Sequence, residues 1–247
     1  YASVLGRIGL AWMFAALLFM NTRNVKIRLL WFSGILIFYW LLFVFFKAPD
    51  LGDPDPYSMR GNISSYVDRI LLPGRFCCYG VGDNEGLLPT IAAVGTALLG
   101  MLTGEFLMTK LKPAKKVVYL VIAAVLLMIV GQVWNLAFPI NKNLWSSSFV
   151  CWVGGLSMLL LAIFYLVIDV WKFQKWAFFF VVIGMNPITI YLANRVIGWG
   201  NANKFFFDGL AGLFPDAWAP FIMAVGYVVI GWLFLYVLYK KKVFLKV

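Results

Sequence analysis

Long apolar runs alternate with short polar interruptions along nearly the whole chain. About 20 apolar residues are needed to cross a hydrocarbon layer roughly 30 Å thick. On that measure the runs predict membrane spans near residues 4–20, 29–46, 87–108, 117–138, 146–168, 176–198 and 218–239. Only helices and closed barrels satisfy every backbone group in lipid, and runs of this length fit helices. The predicted fold class is therefore all-α, a polytopic transmembrane helical bundle with about seven membrane-spanning helices. Residues 1–247 read as one such domain, with a 47–86 loop inside it.

The interruptions alternate in charge. Arg23, Lys26 and Arg28, then Lys110, Lys112, Lys115 and Lys116, then Lys172 and Lys175, and finally the tail Lys240, Lys241, Lys242 and Lys246 fall on one side. By the positive-inside rule that side is the cytoplasm, and the C-terminus lies there. The other side receives the loop 47–86, the turn at 139–143, the loop 199–217 and Tyr1. An outside start without Met or a signal-peptide pattern predicts a preceding segment with an odd number of further spans.

The 47–86 segment is too polar and too rich in Pro and Gly to face lipid, and it is long enough to form a lid. Its Asp-Pro-Asp-Pro run at 53–56 favours turns, because Pro fixes φ and Asp bonds nearby backbone. Its SSYVDRILL stretch at 64–72 reads as a short amphipathic helix lying on the membrane surface.

Composition narrows the classes. At 63% hydrophobic and 13% charged, with mean hydropathy +0.89, the chain is no soluble domain. A net charge of +11 would suggest nucleic acid in a soluble protein, but here the cations are spread over short loops and form no patch. Cys77, Cys78 and Cys151 make neither a disulfide ladder nor a CxxC pair, so no metal site is expected. The absence of His excludes a Ser-His-Asp or Cys-His centre built within this sequence. No phosphate-binding Gly-rich loop occurs.

Polar groups at membrane depth are the first candidates for function, since lipid makes them costly. They are Arg7, Glu105, Gln132, Asn135, Asn186, Thr189 and Asn194, each of which can equally serve as interhelical glue. Met185-Asn186-Pro187 predicts a kink, because Pro frees a carbonyl one turn earlier. Two clusters stand out. In FPINKNLWSSSFV, residues 138–150, Trp145 can be an interfacial anchor and Ser146 a helix cap. The donors Asn141, Lys142 and Asn143 are more than capping requires, and they can bind sugar hydroxyls or stabilise an oxyanion. In GDNEGLLPT, residues 82–90, Asp83 and Glu85 can act as a general base or simply suit a helix N-terminus.

LGRIGLAW at 5–12, DNEGLLPTI at 83–91, PINKNLWSSSFV at 139–150 and GMNPITIYL at 184–192 occur in an order and spacing that resemble the heparan-alpha-glucosaminide N-acetyltransferase family, transmembrane acyltransferases with many bacterial relatives. The resemblance covers essentially the whole chain, and PINKNLWS is its most specific part. It implies that acetyl-CoA, the acyl-donor substrate, is taken from the cytoplasm and its acetyl group passed to a sugar or polysaccharide on the far side. On this reading Asn141, Lys142, Asp83 and Glu85 carry the chemistry, while Trp145, Ser146 and Asn186 bind the acceptor. Arg23, Arg28, Lys110 and Lys112 meet the CoA phosphates, although positive-inside flanking explains those cations equally well.

The family's outer-loop histidine has no counterpart here, so the resemblance implies either the C-terminal portion of a longer protein or a non-catalytic relative. A bacterial inner membrane is the expected location, and membrane lipid, acyl-CoA and a glycan are the expected partners. Gly95, Gly100 and Gly104 allow close helix contacts and with them a homo-oligomer. The alternative function is a secondary transporter of a small polar or glycan solute, for which a broken helix and buried Arg7 and Glu105 are suitable parts but internal repeats are wanting.

Overall fold

The computed structural model describes residues 3–72, 76, 80–215 and 217–245. Cys77, Cys78 and Lys246 lie outside them. The chain divides into two compact units, Tyr1–Val170 and Trp171–Val247. Among the described residues both are helical, and the one β pairing is an isolated bridge between Lys47 and Asn62.

The first unit holds α1 (Val4–Asn21), α2 (Val25–Phe45), α3 (Ile63–Leu71), α4 (Pro89–Leu107), α5 (Pro113–Trp134) and α6 (Ser147–Tyr165), the last running on into a π-helical turn, Leu166–Val170. The second holds α7 (Phe178–Gly184), α8 (Pro187–Val196), α9 (Trp199–Ala211) and α10 (Ala219–Lys240). Among the described residues six helices are long and apolar enough to cross a membrane, and a seventh span is completed if Lys175–Gly184 and Pro187–Asn194 are one helix bent by 60°. The described residues thus make an all-helical integral membrane protein with six to seven helices fit to span.

Starts are set by local chemistry. Ser3, Asn24 and Asn62 each place a side-chain oxygen on an orphan amide, those of Gly6, Lys26 and Ser65 respectively. Pro89, Pro113 and Pro187 open α4, α5 and α8, where a missing N–H costs nothing. The Asn24 cap starts α2 at Val25, four residues before the hydropathy boundary, because lysine and arginine stems extend a helix beyond its apolar run.

In the first unit α5 and α6 pack backbone to backbone. A Cβ at Gly131 would lie 2.7 Å from the Trp152 amide nitrogen, and one at Gly155 would lie 2.7 Å from the Ala124 carbonyl. Small residues are what such close approach requires. The glycines singled out in α4 behave differently. Gly95 lies under Leu36, whereas Gly100 and Gly104 have nothing within 4 Å of a would-be Cβ.

At the lysine-rich end, buried cations satisfy helix carbonyls that water would otherwise serve. Arg28 donates to the Thr22 carbonyl at 2.6 Å and the Phe19 carbonyl at 3.0 Å, and pairs with Glu105 at 2.6 Å. Lys116 donates to the Leu107 carbonyl at 2.6 Å. These contacts tie α1 and α4 to α2, and α4 to α5.

At the other end the described residues of the 47–86 segment fold onto the unit. Asp53 and Asp55 accept from the Asp55 and Tyr57 amides in two successive Asx turns. Arg69 grips Asp50 with two bonds of 2.7 Å, and Tyr57 donates to the Ala137 carbonyl at 2.8 Å. The amphipathic helix forms as α3, with Ser64, Ser65 and Asp68 turned inward and Ile70 and Leu71 exposed.

The 199–217 segment departs from expectation. Hydropathy predicts a loop here, yet the segment contains α9, a helix of 13 residues. Asn203 is buried in it and donates to the Met223 carbonyl of α10 at 2.8 Å. Its side chain fits because Gly226 stands opposite, where a Cβ would lie 2.5 Å from Asn203 Oδ1. This tertiary anchor is not visible in hydropathy.

Candidate functional site

Glu85 and Trp145, from the two sequence clusters, are 60 residues apart, and Arg7 of α1 brings them together. Its Nη2 pairs with Glu85 at 2.6 Å, and its Nη1 donates to the Asn84 carbonyl at 2.8 Å. Its guanidinium carbon lies 4.2 Å from the centroid of the Trp145 ring. Arg7 is buried, which makes the pair with Glu85 an internal one, sensitive to loss of either partner.

Trp145 is held from several directions. Its Nε1 donates to Thr96 Oγ1 of α4 at 3.1 Å, and its ring meets Phe149 edge-on at 5.2 Å. Its backbone has φ of 51°, in the left-handed region that a bulky side chain rarely adopts. Such a residue persists when its surroundings over-determine it, and those surroundings are often functional.

The turn before Trp145 is built by its own amides. Asn141 Oδ1 accepts from the Asn143 amide at 2.9 Å, and Ser146 Oγ accepts from the Asn141 amide at 3.0 Å while donating to the Pro139 carbonyl at 2.8 Å. Ser146 also caps α6 and is fully buried. Ser147 and Tyr39 fix the turn to α2 and its surroundings, donating to the Leu36 and Leu144 carbonyls at 2.7 and 2.6 Å. Lys142 is exposed.

Across from it, Asp83 is buried and its Oδ1 accepts from the Glu85 amide at 2.8 Å. Asn84 Oδ1 is buried without a donor among the described residues. Asp68 of α3, unremarked in the sequence, joins this turn. Its Oδ1 accepts from the Leu87 amide at 2.9 Å, and burial pushes its carboxyl up to about 6. The spacing of Ser64, Ser65 and Asp68 was the available signal, since residues three and four apart share one helix face.

Trp145 heads a groove of about 390 Å³ between α4 and α6. Thr96, Gly100, Thr103 and Gly104 line its α4 wall, Gly154 and Ser157 its α6 wall, and Leu107 its far end. From Thr96 to Leu107 the wall runs roughly 17 Å at 1.5 Å per helical residue. Leu107 is three residues from Lys110 and five from Lys112, so the groove leads from the Arg7 cluster toward the basic end. Arg23, Lys110 and Lys112 are exposed there, while Arg28 is occupied with Glu105 and the end of α1.

Asn186 belongs to the second unit. It sits fully buried at the bend between α7 and α8, donating to the Val243 carbonyl at 3.0 Å and accepting from the Leu245 amide at 3.1 Å. It thus anchors the segment that follows α10. Among the described residues no cluster of three His, Cys, Asp or Glu exists to hold a metal.

The chain is similar to the heparan-alpha-glucosaminide N-acetyltransferase of Mus musculus, 31% identical over 216 residues that make up 80% of this chain and 32% of the relative. The Homo sapiens protein of the same name is 28% identical over 218 residues, again 80% of this chain and 32% of the relative. The chain spans about a third of the length of these curated relatives. No family model matches it.

Proposed function

From the premise that the chain belongs to the heparan-alpha-glucosaminide N-acetyltransferase family, we propose that it carries the acyl-transfer site of a membrane acetyltransferase, which moves an acetyl group from acetyl-CoA on the cytoplasmic side to an amino sugar or glycan on the other. The observation that carries this reading is Arg7, which joins Glu85 and Trp145 at the head of the groove between α4 and α6. The groove admits the thioester arm of the donor from the basic end, where Arg23, Lys110 and Lys112 meet the phosphates. Arg28 supports that entrance by holding α1 and α4 in place.

Acyl transfer to an amine forms a C–N bond and breaks a C–S bond, and the amine gives up a proton while the thiolate gains one. Donors aimed at the carbonyl oxygen lower the barrier as charge develops on it. Lys142 and Asn141 fill that role in this reading, and Asp83 accepts or relays the amine proton. Glu85 holds Arg7, and Trp145 and Ser146 shape the wall on which the sugar lies. The donorless Asn84 Oδ1 fits an acceptor rich in N–H and O–H groups.

One observation favours a second reading, secondary transport. The 60° break between α7 and α8 is the kind of discontinuity that transporters place at a solute site.

Calorimetric titration of the intact purified protein with acetyl-CoA, against desulfo-CoA and an unrelated nucleotide, separates the two. Selective micromolar binding of acetyl-CoA is the expected result. A folded sample that binds none of the three would favour transport.

A further inference from the structure

Asp68 is fully buried, yet one of its carboxyl oxygens has no hydrogen-bond partner among the described residues. Oδ1 accepts from the Leu87 amide, and Oδ2 is pressed against Gly86, where a Cβ would lie within 2.0 Å of it. Three residues earlier on the same face, Ser65 stands equally tight against Gly82, where a Cβ would lie 2.2 Å from Ser65 Oγ. The inward face of α3 therefore holds the 82–87 turn at both of its ends. That turn carries Asn84 and Glu85 to Arg7, and through Arg7 to Trp145.

We propose that Asp68 is a positioning residue for the outer site, clamping the 82–87 turn so that Glu85 holds Arg7 over Trp145, and that the clamp is tighter when Asp68 is protonated. The second half follows from geometry: an ionised carboxylate has an unserved oxygen in a sealed contact, whereas the protonated form carries less charge to desolvate. This inference rests on the acyl-transfer reading only where it concerns activity.

The neighbours of Asp68 decide the pH window. Asp83 faces it from the turn and raises it further, while the Leu87 and Asp83 amides and Arg69 oppose that rise. Arg69 is itself turned toward Asp50 and the Val81 carbonyl. Tyr39 faces it from α2, with Arg7 beyond. An acid whose folded value is raised from 3.8 to about 6 favours the docked state below 3.8 and loses that advantage as pH rises through about 6. Asp50 and Asp53 are held below 3.8 by Arg69 and by Ser58, so both stay charged across this window.

The test uses the intact protein in nanodiscs and follows hydrogen exchange of the 83–88 amides, corrected for intrinsic rate, from pH 5 to 7.5. In the unaltered protein, opening should increase by up to roughly tenfold across this range, the part above pH 5 of a total near a hundredfold if the whole shift acts on this turn. Asp68→Asn, which keeps an acceptor for Leu87 without charge, should abolish the pH dependence and stay protected. Asp68→Ala should exchange at least tenfold faster at pH 5. Acetyl transfer should show an inflection near pH 6 that Asp68→Asn removes while its activity at pH 5 is retained. Unaltered protection in Asp68→Ala, or a persisting inflection in Asp68→Asn, would overturn the clamp. If the exchange results hold but the intact protein transfers no acetyl group, the clamp stands and the acyl-transfer reading fails.

Discussion

The guanidinium carbon of Arg7 lies 4.2 Å from the centre of the Trp145 ring, a contact between residues 138 positions apart in sequence. Arg7 is near the start of α1, and Trp145 closes a turn whose φ of 51° would be costly without support. The ring is fixed by Thr96 and Phe149, and the cation by Glu85. Each holds the other in a conformation neither would keep alone.

Arg7→Ala should destabilise the protein by about 3 kcal/mol, because it leaves Glu85 without its partner at a largely buried position. Arg7→Ala combined with Glu85→Gln should recover part of that loss, with a coupling energy of about 1–3 kcal/mol. Unfolding in detergent, run as a double-mutant cycle, measures it, and simple additivity would mean the pair contributes nothing specific.

Trp145→Phe keeps an aromatic face for Arg7 but removes the bond to Thr96. We expect a loss of about 1 kcal/mol. Thr96→Val should cost a similar amount, and the double variant little more than either single one.

Glycines separate the groove from the helix core. Gly100→Leu and Gly104→Leu place side chains where nothing lies within 4 Å, and they replace a poor helix former with a good one. Both should leave thermal stability unchanged or slightly raised while lowering acetyl transfer at least tenfold. Gly131→Ala and Gly155→Ala meet backbone atoms at 2.7 Å and should destabilise by about 1–3 kcal/mol. If the α4 variants turn over normally, the groove is not the donor's path.

Acid should loosen the outer loop in a second, lower window. Asp50 is held below 3.8 chiefly by Arg69, and a depressed acid stabilises the fold above its unfolded value and loses that contribution as pH falls through its folded one. Hydrogen exchange of the amides at residues 51–53, corrected for intrinsic rate, should therefore stay constant from pH 7 to 5 and rise only as pH falls below 3.8. Asp50→Asn should show the higher exchange at every pH.

Hydropathy located six of the helices because a span needs a contiguous apolar run and little else. The seventh run was legible too, and Pro187 marked its bend within a residue or two. What escaped is tertiary. α9 lies in a segment whose helicity is stabilised by Asn203 docking on Met223 opposite Gly226, contacts that leave no periodic trace. The burial of Asp68 leaves no mark in the helix pattern at 64–72, since it depends on Gly82 and Gly86 arriving from beyond the end of α3. At the site, the NKNLWSSS and DNEG clusters were visible as unusual densities of polar groups. Their joining by Arg7 was not, because nothing in the sequence pairs α1 with two separate turns. Arg28 and Lys116 resembled ordinary flanking cations, yet each is buried on carbonyls at a helix end.

The most direct test of the account places the intact protein in sealed vesicles with labelled acetyl-CoA on the side of the lysine-rich loops and glucosamine on the other. Acetylated sugar should accumulate on the glucosamine side, with acetyl-CoA itself retained, and Gly104→Leu should suppress it. Passage of unmodified sugar without acetylation, or acetylation only when donor and acceptor share one side, would contradict it.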